Sequence, residues 1–261
     1  MMNFPLNHVP ERTRPVREEG LTMMMDKGLS LQEAEQFAES SAPYTDLVKF
    51  GFGTALLTTR LKEKIALYRA AGLNPYFGGT LFEMFWVRNQ FDDYRRFVSE
   101  SGLRTVEVSD GTIKMQEEEK LECIRILARD FRVLSEVGSK VQGVELSNET
   151  WVSSMKSELE AGAWKVIAEA RESGTIGIYD AKGDPNRQLI DAISRALRVE
   201  DVLWEAPNKA QQVMFIKLMG ANVNLGNIAP SEVVSLEALR LGMRGDTFFD
   251  VLPESFQSRK Q

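Results

Sequence analysis

The stretch Arg132-Val133-Leu134-Ser135-Glu136-Val137-Gly138-Ser139-Lys140 restricts the possible folds more than any other. It opens as a short apolar strand, sets a carboxylate near the strand's end, turns on a glycine and delivers a lysine just beyond. Leu21-Thr22-Met23-Met24-Met25-Asp26-Lys27 is built the same way. Apolar runs occur in any protein, but runs that end repeatedly in Asp, Glu or Lys do not.

Further runs of this kind are Leu47–Gly51, Pro75–Gly78, Thr105–Ser109, Lys165–Ala170, Val202–Ala206 and Asn222–Leu225, which with Leu21–Asp26 and Val133–Val137 make eight expected strands. Segments of helical period lie between them. Thr58–Ala71 places Leu61, Ile65 and Tyr68 on one face. Gln116–Arg129 does so through Leu121, Ile124 and Leu127, behind an acidic first turn that complements the helix dipole. The other expected helices are Ser30–Ser41, Asp92–Ser101, Asn148–Ala161, Pro185–Leu197, Ala210–Met219 and Ser231–Leu241. Ala71-Gly72, Ser101-Gly102, Ala161-Gly162 and Met219-Gly220 supply helix stops.

Eight strands alternating with eight helices predict an α/β fold, a single (β/α)8 barrel of the TIM type. An open doubly wound sheet is the alternative. Residues 1–19, with three prolines, read as an irregular N-terminal arm, 20–250 as the barrel and 251–261 as a polar tail. Gly174–Asp184, rich in glycine, is the expected mobile loop.

A net charge of -6 and a pI near 5.2 argue against general nucleic-acid binding. A single cysteine, Cys123, excludes an internal disulfide and suits a reducing compartment. No apolar run approaches the roughly 20 residues of a membrane span, and residues 1–19 lack a secretory apolar segment. A cytoplasmic protein without membrane or nucleic-acid partners is the expectation.

In a parallel barrel every strand's C-terminal end opens on one face, where the active site is built. In chain order those ends carry Asp26 and Lys27; Lys49; Glu83 beyond Gly78-Gly79-Thr80; Glu107 and Asp110; Glu136 and Lys140; Glu169, Arg171 and Glu172; Glu205 and Lys209; Asn224 and Asn227. Any one of these could be a solvated ion pair. As a set they are not ordinary, because buried strands rarely carry charge unless it is paired or used. Lysines and an arginine suit a substrate with several negative charges, and carboxylates suit a hard divalent cation such as Mg²⁺. His8, the one histidine, lies in the arm, so a Ser-His-Asp or Cys-His mechanism has no base and proton transfer falls to Lys, a carboxylate or water. Gly226-Asn227, leading into a helix near Pro230-Ser231, and Gly78-Gly79-Thr80 are two candidate phosphate cradles. Gly51-Phe52-Gly53 lacks the full dinucleotide fingerprint.

A family likeness runs through these same residues. Asp26-Lys27-Gly28, Val48-Lys49-Phe50-Gly51-Phe52-Gly53-Thr54, Gly78-Gly79-Thr80-Leu81-Phe82-Glu83, Val106-Glu107-Val108-Ser109-Asp110-Gly111, Ser135-Glu136-Val137-Gly138, Glu169-Ala170-Arg171-Glu172-Ser173-Gly174, Glu205-Ala206-Pro207-Asn208-Lys209 and Val223-Asn224-Leu225-Gly226-Asn227 resemble the phosphosulfolactate synthase family. The likeness extends from about Gly20 to Phe248. It implies a homo-oligomeric (β/α)8 enzyme, a carbon–sulfur lyase, that adds sulfite to phosphoenolpyruvate with Mg²⁺ to give (2R)-phospho-3-sulfolactate. Ser139 departs from archaeal members, which carry a second lysine there.

On that resemblance, Lys27, Lys49, Arg171 and Lys209 are expected to hold the two anions, with Gly78, Gly79, Asn224, Gly226 and Asn227 at the phosphate. Mg²⁺ is expected among Glu83, Glu107, Asp110, Glu136 and Glu169, and Lys140 is expected to be the proton donor, with Lys49 and Arg171 beside it in catalysis. Another Mg²⁺-dependent lyase or mutase of a phosphorylated enol or keto acid, and a non-enzymatic heat-stress-associated member, are the alternatives.

Overall fold

A computed structural model describes residues 3–138, 146–171 and 173–260. Eight parallel strands alternate with helices around one barrel. In chain order they are β1 (Thr22–Asp26), β2 (Leu47–Phe50), β3 (Asn74–Phe77), β4 (Thr105–Val108), β5 (Arg132–Val137), β6 (Lys165–Ala168), β7 (Val202–Glu205) and β8 (Asn224–Ile228). The helices are α1 (Leu31–Ser41), α2 (Leu61–Ala70), α3 (Gly79–Trp86), α4 (Phe91–Glu100), α5 (Glu117–Leu127), α6 (Asn148–Glu160), α7 (Arg187–Ala196), α8 (Lys209–Met219) and α9 (Val233–Arg240). The hydrogen-bonded order runs β3-β2-β1-β8-β7-β6-β5-β4, which leaves a seam between β3 and β4. Side chains bridge it. Asn74 Nδ2 donates to Thr105 Oγ1 at 2.6 Å near the foot, and the Gly79 N–H donates to Glu107 Oε1 at 2.5 Å near the mouth.

Side-chain alternation divides the strands into two faces. Outward residues such as Val48, Val106, Val133, Val166 and Trp204 join the helices in the main core. Inward, Leu21, Met23, Leu47, Tyr76, Leu134, Ile167 and Leu203 form a separate apolar floor. Two residues further along four of these strands, Leu47 gives way to Lys49, Leu134 to Glu136, Ile167 to Glu169 and Leu203 to Glu205. The charges noted in the sequence therefore stand one layer above an apolar plug.

Local chemistry sets the helix starts. Ser30 and Glu33 form a reciprocal cap on α1, Ser147 caps α6 and Asn186 caps α7. Helix α3 has no counterpart in the expected series. It opens on Gly78-Gly79 and is nearly all apolar, so it carries no polar stripe to announce its period.

The arm closes the foot of the barrel. Arg12 donates to Glu237 at 3.1 Å and to the carbonyls of Ala221 and Gly20 at 3.0 Å. Arg17 reaches Asp46 at 3.0 Å, and Glu18 accepts from Trp164 Nε1 at 2.9 Å. Arg240, wholly buried beneath, donates to the carbonyls of Ala221, Val223 and Leu21; burial, with Arg12 nearby, depresses its pKa to about 9. His8 of the arm packs against Phe256 of the C-terminal tail.

Two expectations need correction. β8 begins at Asn224, so that residue lies at the foot and not at the mouth. Its Oδ1 accepts from the Leu21 N–H at 3.0 Å, and Nδ2 donates to the carbonyls of Glu200 and Val202. The stretch Gly174–Asp184 is packed down. Ile178 and Tyr179 are buried, the Ile178 N–H donates to Glu169 O at 3.0 Å, and Tyr179 Oη donates to Glu205 O at 2.8 Å. Gly177 makes that approach possible, since a Cβ there would lie 2.0 Å from Glu169 O.

Candidate active site

At the mouth the barrel opens into a cavity of about 590 Å³, lined among others by Lys49, Phe52, Glu136, Glu169, Arg171, Glu205 and Asn227. Lys49 is its buried cation. Nζ lies 2.9 Å from Glu107 Oε1, 3.5 Å from Glu136 Oε2 and 3.4 Å from Glu205 Oε1. Burial opposes the charge, but Glu107, Glu205 and Glu136 outweigh it and lift the lysine's pKa well above its ordinary value. Lys49 is thus a fixed positive charge rather than a proton carrier at neutral pH.

Glu83, Glu107, Glu136, Glu169 and Glu205 are all buried, so carboxylates outnumber that ammonium. Burial raises the pKa of Glu107 against the pull of Lys49. Glu205 is raised to about 7, by burial first and with Glu136 and Glu107 adding to it against Lys49. Ser109 Oγ lies 2.7 Å from both Glu83 Oε1 and Glu136 Oε1. A hydroxyl has one proton to donate, so it can answer only one of these two oxygens at a time. Glu83 also accepts from the Thr112 N–H, and Glu205 Oε2 accepts from the Ala170 N–H at 2.8 Å.

Glu136, Glu169 and Glu205 each offer one oxygen, and the three lie within 4.8 Å of one another. Opposite ligands of an octahedral Mg²⁺ stand about 4.2 Å apart. A triangle of hard oxygens on this scale, with surplus negative charge, fits such an ion with small movements of the side chains.

A model of the (2R)-phospho-3-sulfolactate synthase (ComA) family matches residues 10–246. The phosphosulfolactate synthase of Bacillus subtilis (strain 168) is 42% identical over 254 residues, 95% of this chain and 100% of that protein. That of Methanothermobacter thermautotrophicus is 41% identical over 244 residues, 91% and 95% respectively. The chain belongs to the phosphosulfolactate synthase family. Among solved structures, 3-hexulose-6-phosphate synthase from Salmonella typhimurium superposes with a TM-score of 0.56 at 16% identity, covering 86% of this chain and 100% of that one, a likeness of fold alone.

Within this phosphosulfolactate synthase fold, the structure gathers Lys49, Glu107, Glu136, Glu169 and Arg171 at the mouth, with Gly78 in the lining and Gly79 at the seam. Glu83 stands behind Ser109 on α3. Asp110 faces outward between the barrel and its helices, 2.8 Å from Lys120 Nζ. Lys120 also pairs with Glu158 at 2.8 Å and donates to the Glu136 carbonyl at 2.7 Å, so it braces that strand from outside. Lys27 is exposed beside the mouth, on a turn pinned by Asp26 Oδ1, which accepts from the N–H groups of Gly28 and Leu29 at 2.9 Å. Lys209 is half-exposed and pairs with Asp246 at 2.9 Å. Gly226 lies level with Glu205, its missing Cβ leaving room for Leu203 and Met23. Lys140 and Glu172 lie outside the described residues.

Sequence reasoning left Glu205 out of the expected metal set and gave Ser109 no role of its own. Glu205 had a signal, the same two-residue step from an inward apolar residue that marks Glu136 and Glu169. Ser109 had none, because its meaning comes from two carboxylates brought in by α3 and β5.

Proposed function

We propose that the protein adds sulfite to phosphoenolpyruvate in a Mg²⁺-dependent reaction that yields (2R)-phospho-3-sulfolactate. The observation that carries this reading is the buried carboxylate triangle Glu136–Glu169–Glu205 beneath a mouth that also holds Lys49 and Arg171, in a chain of this family. Both reactants are anions, and a cationic, enclosed site lowers the repulsion between them. Lys49 supplies a permanent charge at the floor. Arg171 follows β6, across the ring of strands from β2 and its Lys49, so the two cations bracket the space where the anions would meet.

In the reaction sulfur bonds to the methylene carbon, the carbon–carbon double bond opens, and the neighbouring carbon takes a proton. Glu136, Glu169 and Glu205 would hold the Mg²⁺, which supplies Lewis-acid stabilisation of charge developing on the substrate carboxylate. The proton is assigned to Lys140 on the sequence likeness alone. Lys27 and Lys209 lie outside the cavity lining and are assigned to drawing anions toward the mouth. Self-association, which the family likeness implies, belongs to the same proposal and is read by light scattering of the eluting protein. No described helix is long and apolar enough to cross a membrane.

The test is direct: purified protein with phosphoenolpyruvate, sulfite and Mg²⁺, the product identified by mass. Sulfite-dependent consumption of phosphoenolpyruvate is expected. Consumption that ignores sulfite points to another reaction of the same substrate.

A further inference from the structure

Regular alternation along β8 would send Asn227 out of the barrel, since Gly226 before it faces inward opposite Glu205. The strand does not stay regular. Thr22 of β1 pairs with Leu225 and Met24 with Ile228, so two steps of β1 oppose three of β8. Asn227 takes up the extra residue at φ 58, in the left-handed region that Asn tolerates better than most side chains. Such a bulge re-aims a side chain, and here it turns Asn227 into the lining of the cavity.

The orientation of the amide is fixed. Nδ2 donates to the Ala170 carbonyl at 3.2 Å, and the Ala170 N–H is in turn held by Glu205 Oε2 at 2.8 Å. Turning the amide over would set oxygen against oxygen. Oδ1 therefore faces away from Ala170, in a residue only 6% exposed, and among the described residues it has no donor. A buried acceptor left unpaired is costly, so it calls for a donor or a cation. Phosphate, sulfite and carboxylate offer only oxygen acceptors when fully ionised and would repel it. The donor that could have held a phosphate is already spent on Ala170.

We propose that Asn227 Oδ1 is a neutral oxygen ligand of the divalent cation held by Glu136, Glu169 and Glu205. Four oxygens from β5, β6, β7 and β8 would then grip the ion from adjacent strands, and the fourth adds coordination without adding charge to a site already rich in carboxylates. This inference rests on the cation part of the proposed function and not on the identity of the reactants.

The experiment measures Mn²⁺ binding to the full chain by electron paramagnetic resonance, and Mg²⁺ binding by calorimetry, both without substrate. Asn227→Gly keeps the left-handed backbone and removes both the Oδ1 ligand and the Nδ2 donor to Ala170. It is expected to raise the Kd for both ions about tenfold, while the metal-free protein still folds but melts about 2–4 °C lower because the Ala170 carbonyl loses its donor. Asn227→Asp, which keeps an oxygen at the Oδ1 position but sets its other oxygen against the Ala170 carbonyl, is expected to bind both ions more tightly than Asn227→Gly. Parental affinity in Asn227→Gly overturns the assignment, and so does normal Mn²⁺ binding accompanied by weaker phosphoenolpyruvate binding, which would make the amide a substrate contact. A parent protein that takes up no Mn²⁺ at millimolar concentration removes the cation reading itself, a result distinct from either.

Discussion

Lys49 Nζ and Glu107 Oε1 stand 2.9 Å apart with both side chains almost fully buried, on strands β2 and β4, which do not adjoin. The pair reaches across the interior past β3, and the same ammonium also faces Glu136 and Glu205. Removing one member of a buried charge cluster strands the others. Lys49→Met is therefore expected to cost about 3–5 kcal/mol at pH 8, and clearly less at pH 5.5, where the abandoned carboxylates can protonate. Urea unfolding at the two pH values reads this out. An equal loss at both would show that Lys49 contributes packing rather than charge.

Glu205 titrates near 7 in the native protein because it is buried, against about 4.3 in an unfolded chain. Between those values the folded state holds a proton that the unfolded state has released. Stability is then greatest below the unfolded pKa and is lost as pH rises through the folded one, by about 4 kcal/mol in all; Glu107, also raised, acts in the same direction. The metal-free protein should lose melting temperature from pH 5 to pH 8, and Glu205→Gln should flatten much of that slope. Because a cation competes with the proton, added Mg²⁺ should stabilise the parent more at pH 8 than at pH 6.

Phe52 occupies the cavity rim with its backbone at φ 54 and 52% of its surface exposed, which is a poor arrangement for a bulky residue unless the ring is used. Phe52→Gly relieves about 1 kcal/mol of backbone strain and should raise the melting temperature by about 2–4 °C. The same change uncovers the mouth, so kcat/KM for phosphoenolpyruvate should fall several-fold. A variant that melts lower, or that loses no activity, would show the ring to be a packing element.

Lys140→Met is expected to abolish turnover while leaving phosphoenolpyruvate binding largely intact, as a lost proton donor would. Calorimetry with phosphoenolpyruvate beside a sulfite-dependent assay separates the two effects. Comparable turnover in the variant would place the donor elsewhere.

The barrel was legible in the sequence because its units repeat. An apolar run, a charge at its end, a glycine and an amphipathic helix are all local signals, and parallel strands force the charged ends to one face. Three things were not legible. Helix α3 is too apolar to show a polar stripe. The register of β8 turned on whether Asn224 begins or ends the strand, and three hydrogen bonds to Leu21, Glu200 and Val202, all distant in sequence or packed at the foot, decide it. Asp110 and Glu107 look alike as carboxylates near the end of the same strand. Their fates diverge because Lys120, ten residues on, takes Asp110 outward while Lys49 takes Glu107 inward.

The gap in the ladder between β3 and β4 has one more implication. Near the mouth it is fastened through Glu107, which takes the Gly79 N–H with the same oxygen that faces Lys49. Glu107 is thereby a weld as well as a charge. Any event that neutralises it or draws it aside slackens the cylinder at its one unlaced edge, so the state of the reacting chamber is felt mechanically by the wall, and amides along that edge should be the first in the sheet to exchange with deuterium.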